Sequence, residues 1–408
     1  MKHKHSLRMA VALLAAALPF VSCRKGEFVL PSTSIEVGGS ESNGAIKGFF
    51  LLNEGNMGSN KASLDYYDYE TGIYHVNIYP ERNPGVTYEL GDVGNDLQIY
   101  GNKLYAVINC SNLVEVMDVA TARHEATVYI PNCRYIVFDD GFAYISSYAG
   151  PVQIDPAARL GYVAKVDTAT MRIVDTCTVG YQPEEMVVAG DKLYVANSGG
   201  YRAPAYDRTV SVIDLATFTE IKKIDVAVNL HRMEADRFGN IYVSSRGDYY
   251  DTPSKTYVID SRTDRVTEIL HLLPNSNMTL SGDSLYVYSS QWSWHTEEFA
   301  ASYAIVDTRS KKIVTRNFIT DGTEAEIAIP YGIAANPDNG DLFVTDAGNY
   351  VTPGKVHCYD RHGRRKWSVT AGDIPAHIAF TRTRLRPLES PSDTGYGRVP
   401  HATTDNTL

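Results

Sequence analysis

The chain has 408 residues and a formal net charge of −10, a balance that argues against a nucleic-acid partner. Tyr outnumbers Phe by 28 to 12, and Tyr suits both strands and binding surfaces because its ring is apolar and its tip polar. Of five Cys, Cys110, Cys133, Cys177 and Cys358 show neither CxxC metal spacing nor the regular spacing of a disulfide framework.

Residues 1–22 read as a signal peptide. Lys2, Lys4 and Arg8 lead into an apolar run, residues 9–21, too short to span a bilayer as a helix. The run ends in FVSC, similar to a bacterial lipobox, so Cys23 is expected to carry lipid and attach the chain to a membrane. Residues 23–46 are rich in Gly, Ser and Glu and read as a flexible tether. Residues 47–380 form the folded region. Residues 381–408 hold many Pro, Ser, Thr, Asp and Arg and read as a disordered tail.

A single element recurs throughout the folded region. A strand ends in Asp-x-x-Thr or a close variant at Asp68, Asp118, Asp167, Asp214, Asp260, Asp307 and Asp360, 46 to 53 residues apart. Asp and Thr side chains both hydrogen-bond nearby backbone in turns, which fits a hairpin. A second element precedes the later copies: a turn, then a strand ending in a small polar residue, as in YGNKLYAVIN, AGDKLYVANS and RFGNIYVSS. Each unit then holds four short strands, as in EMVVAG, DKLYVANS, TVSVIDLAT and TEIKKIDVA of the fourth. No long helix is predicted. Seven such units predict an all-β, seven-bladed β-propeller of four-stranded blades. The first unit, starting at GFFLLNEG, lacks an innermost strand. Residues 374–380, IPAHIAF, have no further blade to serve, so the two are predicted to pair and close the ring.

Antiparallel strands alternate their connections between two faces. One face has only short turns. The other is predicted to carry the long loops NEGNMGSNKAS, SSYAGPVQIDPAARLG, NSGGYRAPAYDRT, SSRGDYYDTPSKT, SSQWSWHTEEFAAS and TDAGNYVTPGK. Those loops supply Tyr148, Tyr201, Arg202, Tyr206, Arg246, Tyr249, Tyr250, Trp292, Trp294 and Tyr350, and crossovers on the same face add Arg134, Glu184, Glu185, His231, Arg232, Tyr331 and His377. Tyr and Trp give large contact area at little rotamer cost, and Arg donates in a fixed fork. These Tyr, Trp and Arg residues, with His231, are the candidate binding set for a large ligand with flat and amide-bearing parts.

Catalytic and metal motifs are lacking: there is no G-x-S-x-G, H-E-x-x-H, P-loop or dinucleotide fingerprint. His231 and His377 both approach the axis, where hydrogen-bonded histidines are favoured over metal ligands. Glu184 and Glu185 are adjacent and are expected on opposite sides of a strand, a poor acid–base pair. Asn53, Asn109 and Asn197 end second strands and read as turn formers. Cys110 and Cys133 both fall near the loop face, and the sequence leaves open whether they form a disulfide. Cys177 and Cys358 read as buried small apolar residues.

The repeats resemble the YncE-like seven-bladed propellers. With the lipobox, GFFLLNEGNMGSNKASLDYYDYETG, ELGDVGNDLQIYG, YGIAANPDNGDLFVTDAGNYVTPGK and GDIPAHIAF resemble the BtuG type, surface cobalamin-binding propeller lipoproteins of Bacteroidetes. The resemblance implies a non-enzymatic outer-membrane lipoprotein, exposed at the cell surface and without an intrinsic cofactor. It implies that cobalamin (vitamin B12) and related corrinoids bind on the loop face and pass to a TonB-dependent transporter. On that reading the Tyr and Trp rings flank the ligand, and Arg134, Arg202, Arg232 and Arg246 bond its amides or phosphate. The alternatives are a glycan-binding surface propeller and, behind it, a propeller lactonase or lyase.

Overall fold

The computed structural model of the chain describes residues 31–38, 44–85, 90–271, 273–293 and 298–388. The predicted signal peptide, Cys23, Trp294 and His295 lie outside the described residues. Seven antiparallel sheets follow one another as blades of a propeller. Blades 2 to 7 span 94–129, 133–178, 183–225, 230–270, 277–315 and 330–373, with four strands each. Burial falls from the axis outward. In blade 4 the second strand, Lys192–Asn197, is buried at every position after Lys192, because neighbouring blades cover both its faces. The outermost strand, Thr219–Asp225, buries only Ile224.

The Asp-x-x-Thr turns form for the predicted reason. Asp167 Oδ1 accepts the N–H groups of Ala169 and Thr170 at 3.0 and 2.7 Å. Asp214 Oδ1 accepts both the N–H and the hydroxyl of Thr217 at 2.8 Å. In five turns the residue after this motif (Ala122, Met171, Phe218, Asp264, Lys311) takes a left-handed backbone that ordinary residues avoid, and the Asp cap holds it there.

The ring closes as the sequence predicts. Pro375–Thr381 is the inner strand of blade 1 and pairs antiparallel with Gly48–Asn53, with Phe380 opposite Phe49 and Ile378 opposite Leu51. An aromatic cluster locks the closure. The fully buried Phe49 ring lies 4.9 Å from Phe343 of blade 7 and 6.0 Å from Phe380.

Three segments depart from expectation. Thr33–Glu36, within the predicted tether, forms a fifth, exposed strand on the outer edge of blade 1, with Thr33 opposite Val76. The strand it joins, Ile73–Val76, runs toward the long-loop face, so the chain enters the fold on that side. The first residues of the predicted disordered tail pack against blades 1 and 2. Leu385 is buried and donates its N–H to the Tyr66 hydroxyl at 3.1 Å, and Arg384 pairs with Asp68 at 2.9 Å. Sequence composition misses both segments because a few paired backbone groups and one buried Leu suffice to order them. The third is the predicted blade 6 loop, SSQWSWHTEEFAAS. Most of it continues the hairpin of Ser284–Ser293 and Glu298–Asp307, with Trp292 opposite Phe299.

Truncating Phe49 removes the ring that joins blades 1 and 7. Phe49→Ala is expected to cost about 3–5 kcal/mol of stability, read from urea denaturation midpoints.

Candidate ligand-binding face

The site is built by irregularity at the loop-side ends of the inner strands. In blade 3, Cys133 lies opposite Ser147 and Ile136 opposite Ile145, so Arg134 and Tyr135 together face Ser146 alone. Blade 4 does the same with Glu184 and Glu185, blade 5 with His231 and Arg232, and blade 7 with Tyr331 and Gly332. Two residues against one is a β-bulge, which re-aims side chains. A hydroxyl stabilises three of them: the N–H groups of Tyr135, Arg232 and Gly332 donate to Ser146 Oγ, Ser244 Oγ and Thr345 Oγ1 at 3.1, 2.9 and 2.7 Å.

The bulges bring charged groups from several blades together. Glu184 is at the centre. Its Oε2 accepts Arg134 Nη2 and Nε at 3.0 and 3.2 Å, and its Oε1 accepts the Tyr148 hydroxyl at 2.5 Å and Arg246 Nη1 at 3.3 Å. Arg134 also lies 4.9 Å from the Tyr148 ring centre. Glu185, expected on the other side of the strand from Glu184, joins the same buried region. Its Oε1 faces Arg232 Nη1 at 3.4 Å and its Oε2 accepts the Met233 N–H at 2.6 Å. The bulge is the reason that strand alternation fails here. The Tyr135 hydroxyl is hydrogen-bonded to His231 Nε2 at 2.9 Å. Tyr331 donates its hydroxyl to Glu54 Oε2 at 2.7 Å, and His377 sits between Glu54 and Asp96 at 3.6 and 3.8 Å.

Burial and charge oppose each other in this network. Burial alone pushes the Glu184 carboxyl up, but Arg134 and Arg246 outweigh it and hold the group below its ordinary value of 4.5. Burial raises Glu185, and Arg232 offsets only part of the rise. Glu234, on the same inner strand as Arg232, is pushed up to about 8 by burial, with the Glu185 charge adding to it. Burial, then the Arg246 and Arg232 charges, hold His231 well below its ordinary range and therefore neutral.

Six of the predicted binding residues, Arg134, Tyr148, His231, Arg232, Arg246 and Tyr331, belong to this network. Tyr350 meets the Tyr331 ring edge-on at 5.9 Å. Tyr201 and Arg202 lie on one 3-10 turn, Gly200–Arg202. Tyr201 meets Tyr148 edge-on at 6.2 Å, and the Arg202 guanidinium covers the Tyr181 ring at 3.6 Å. Tyr206 is half-buried in the same loop, while Tyr249 and Tyr250 stand exposed in the blade 5 loop. Trp292 lies on the extended blade 6 strand, away from the loop position expected for it. Asn53, Asn109 and Asn197 are buried and tie strand ends together, Asn197 Nδ2 to Ser211 Oγ at 2.9 Å. Cys110 and Cys133 are free thiols. Among the described residues no group of three or more His, Cys, Asp or Glu could hold a metal ion.

Comparison with known proteins places the chain in a family. The profile of a domain of unknown function (DUF5074) matches residues 47–374. The chain belongs to that family. No curated protein matches this DUF5074 chain in sequence. Solved structures share its fold. Hydrazine synthase of Kuenenia stuttgartiensis is 17% identical with a TM-score of 0.54, over 66% of this chain and 76% of that one. The computationally designed Ika8 protein is 10% identical with a TM-score of 0.51, over 80% and 89%. A quinonprotein alcohol dehydrogenase-like protein of Bacteroides thetaiotaomicron is 15% identical with a TM-score of 0.53, over 83% and 79%. At these identities the likeness concerns the fold alone.

Sequence reasoning missed Glu54, Asp96, Tyr135 and Glu234. A signal was present: Asn95-Asp96, Arg134-Tyr135, Glu184-Glu185 and His231-Arg232 are polar doublets at one position of successive repeats, just where a propeller's core strand begins.

Glu184→Gln leaves Arg134 and Arg246 beside a neutral amide. The expected cost at pH 7 is about 3–5 kcal/mol. The folded value of Glu184 is depressed, so its contribution is fully present above the unfolded value near 4.5 and is lost as pH falls through the lower folded value. The gap between native and variant melting temperatures should therefore close below pH 4; a constant gap contradicts the assignment.

Proposed function

We propose that this DUF5074 chain is a non-enzymatic binding protein that holds cobalamin or a related corrinoid on its long-loop face. One observation carries the reading. Exposed apolar side chains form a collar over the axial network: Met57, Ile154, Tyr201, Tyr249, Tyr250 and Val351 come from the loops of five blades. Among the described residues, none of the exposed large apolar side chains lies in a turn of the opposite face. Tyr250, 89% exposed, covers nothing in the fold. A collar of this kind suits the broad, partly apolar face of a corrin. The polar centre it surrounds suits the amide arms at the corrin rim. The network's carboxylates and guanidiniums are already bound to each other, which favours a preorganised binding surface over a reacting centre.

On this reading, lipid on Cys23 holds the protein at the outer membrane, exposed at the cell surface, and a TonB-dependent transporter receives the ligand. Protein beginning at residue 24, mixed with cyanocobalamin and passed through a gel-filtration column, should carry the red colour at micromolar concentration. The Tyr249→Ala, Tyr250→Ala double variant should bind at least about tenfold more weakly. A colourless protein peak contradicts the proposal.

A further inference from the structure

Charge balance limits what the axial network can accept. Four carboxylates, those of Glu54, Asp96, Glu184 and Glu185, meet three guanidiniums, those of Arg134, Arg232 and Arg246. None of the guanidiniums is uncommitted, since Arg134 and Arg246 share Glu184 and Arg232 faces Glu185. The most exposed of these side chains are Glu185 and Arg246, at 25% and 27%. Glu185 Oε1 and Arg232 Nη1, 3.4 Å apart, set an acceptor and a donor side by side. Two nitrogens of the network, Arg232 Nε and His377 Nε2, have no hydrogen-bond partner. Both side chains lie against one ring: the Arg232 guanidinium is 5.1 Å from the centre of Tyr135, and the His377 ring is 6.5 Å from it. Buried polar atoms without partners are rare, and here they mark hydrogen-bonding capacity that the protein leaves unused.

We propose that the loop-side end of the axis is a carboxamide site, which binds one uncharged primary amide of the ligand and rejects a carboxylate in its place. The inference rests on the corrinoid reading and adds a selectivity to it. A primary amide carries donors and an acceptor on one planar end. It can donate to Glu185 and accept from the adjacent Arg232 guanidinium, whose Nε is unpartnered, without disturbing the Glu184 ion pairs. A carboxylate has no donor for Glu185. It also brings a second negative charge against the Glu185 carboxylate, where solvent screens poorly. The site therefore separates fully amidated corrinoids from those in which an arm is a free acid.

The test compares cyanocobalamin with its separated monocarboxylic acids, obtained by partial hydrolysis of the propionamide arms, by calorimetric titration at pH 7.5. Cyanocobalamin should bind, and at least one monoacid isomer should bind at least about tenfold more weakly. Glu185→Gln should narrow that ratio severalfold, and Glu54→Gln should act in the same direction if Glu185→Gln does not fold. Equal binding of every isomer, or a ratio unmoved in the folded variants, overturns the carboxamide site while leaving corrinoid binding intact. Failure of cyanocobalamin itself to bind overturns the corrinoid reading and this proposal with it.

Discussion

In a regular strand, Arg134 and Tyr135 would point to opposite faces of blade 3, and so would Glu184 and Glu185 in blade 4 or His231 and Arg232 in blade 5. Each would then belong to a different blade interface. The bulge at the start of the inner strand sets two residues against one partner residue and removes that restriction. Both members of each doublet become available to the same end of the axis. Register shifts occur at this end in six of the seven blades, blade 6 being regular. The ion pairs at this end of the axis follow from that one feature of the backbone.

Placing so many charges together is costly unless each is compensated. A buried carboxylate loses its hydration, and only close guanidiniums and hydroxyls restore the balance. Glu184 shows full compensation, with two Arg side chains and the Tyr148 hydroxyl around it. Glu185 and Glu234 show less, and both are shifted upward. Glu184 is thus the fully paired carboxylate of the network, and Glu185 the less compensated one. The loops follow the same division. The blade 3 and blade 4 loops are tied by the Asp155 N–H to the Tyr201 carbonyl at 2.9 Å, yet the rings of Tyr249 and Tyr250 remain open.

The blade count was legible because a hairpin turn needs an Asp that caps backbone N–H groups, and that need leaves one Asp per repeat in the sequence. Ring closure was legible because residues 374–380 had a strand pattern and no blade of their own. The face of long loops was legible from loop length. The bulges were not. A period-2 reading assigns Glu184 and Glu185 to opposite sides, since nothing local distinguishes a bulged doublet from a regular pair. The sequence presents the arginines as free for a ligand, because their partners come from strands about fifty residues away. Glu184 meets Arg134 across 50 residues and Arg246 across 62. The aliphatic members of the collar escape a sequence reading for a simpler reason: Met57, Ile154 and Val351 are unremarkable singly, and only the fold gathers them on one face.

The central claim is that the long-loop face, over the bulged inner strands, is the binding surface. Hydrogen–deuterium exchange with and without cyanocobalamin tests it most directly. The account predicts slowed exchange in the loops at 148–160, 199–207, 246–252 and 349–352, and no change in the Asp-x-x-Thr turns of the opposite face. Protection centred on those turns, or spread evenly over both faces, would contradict it.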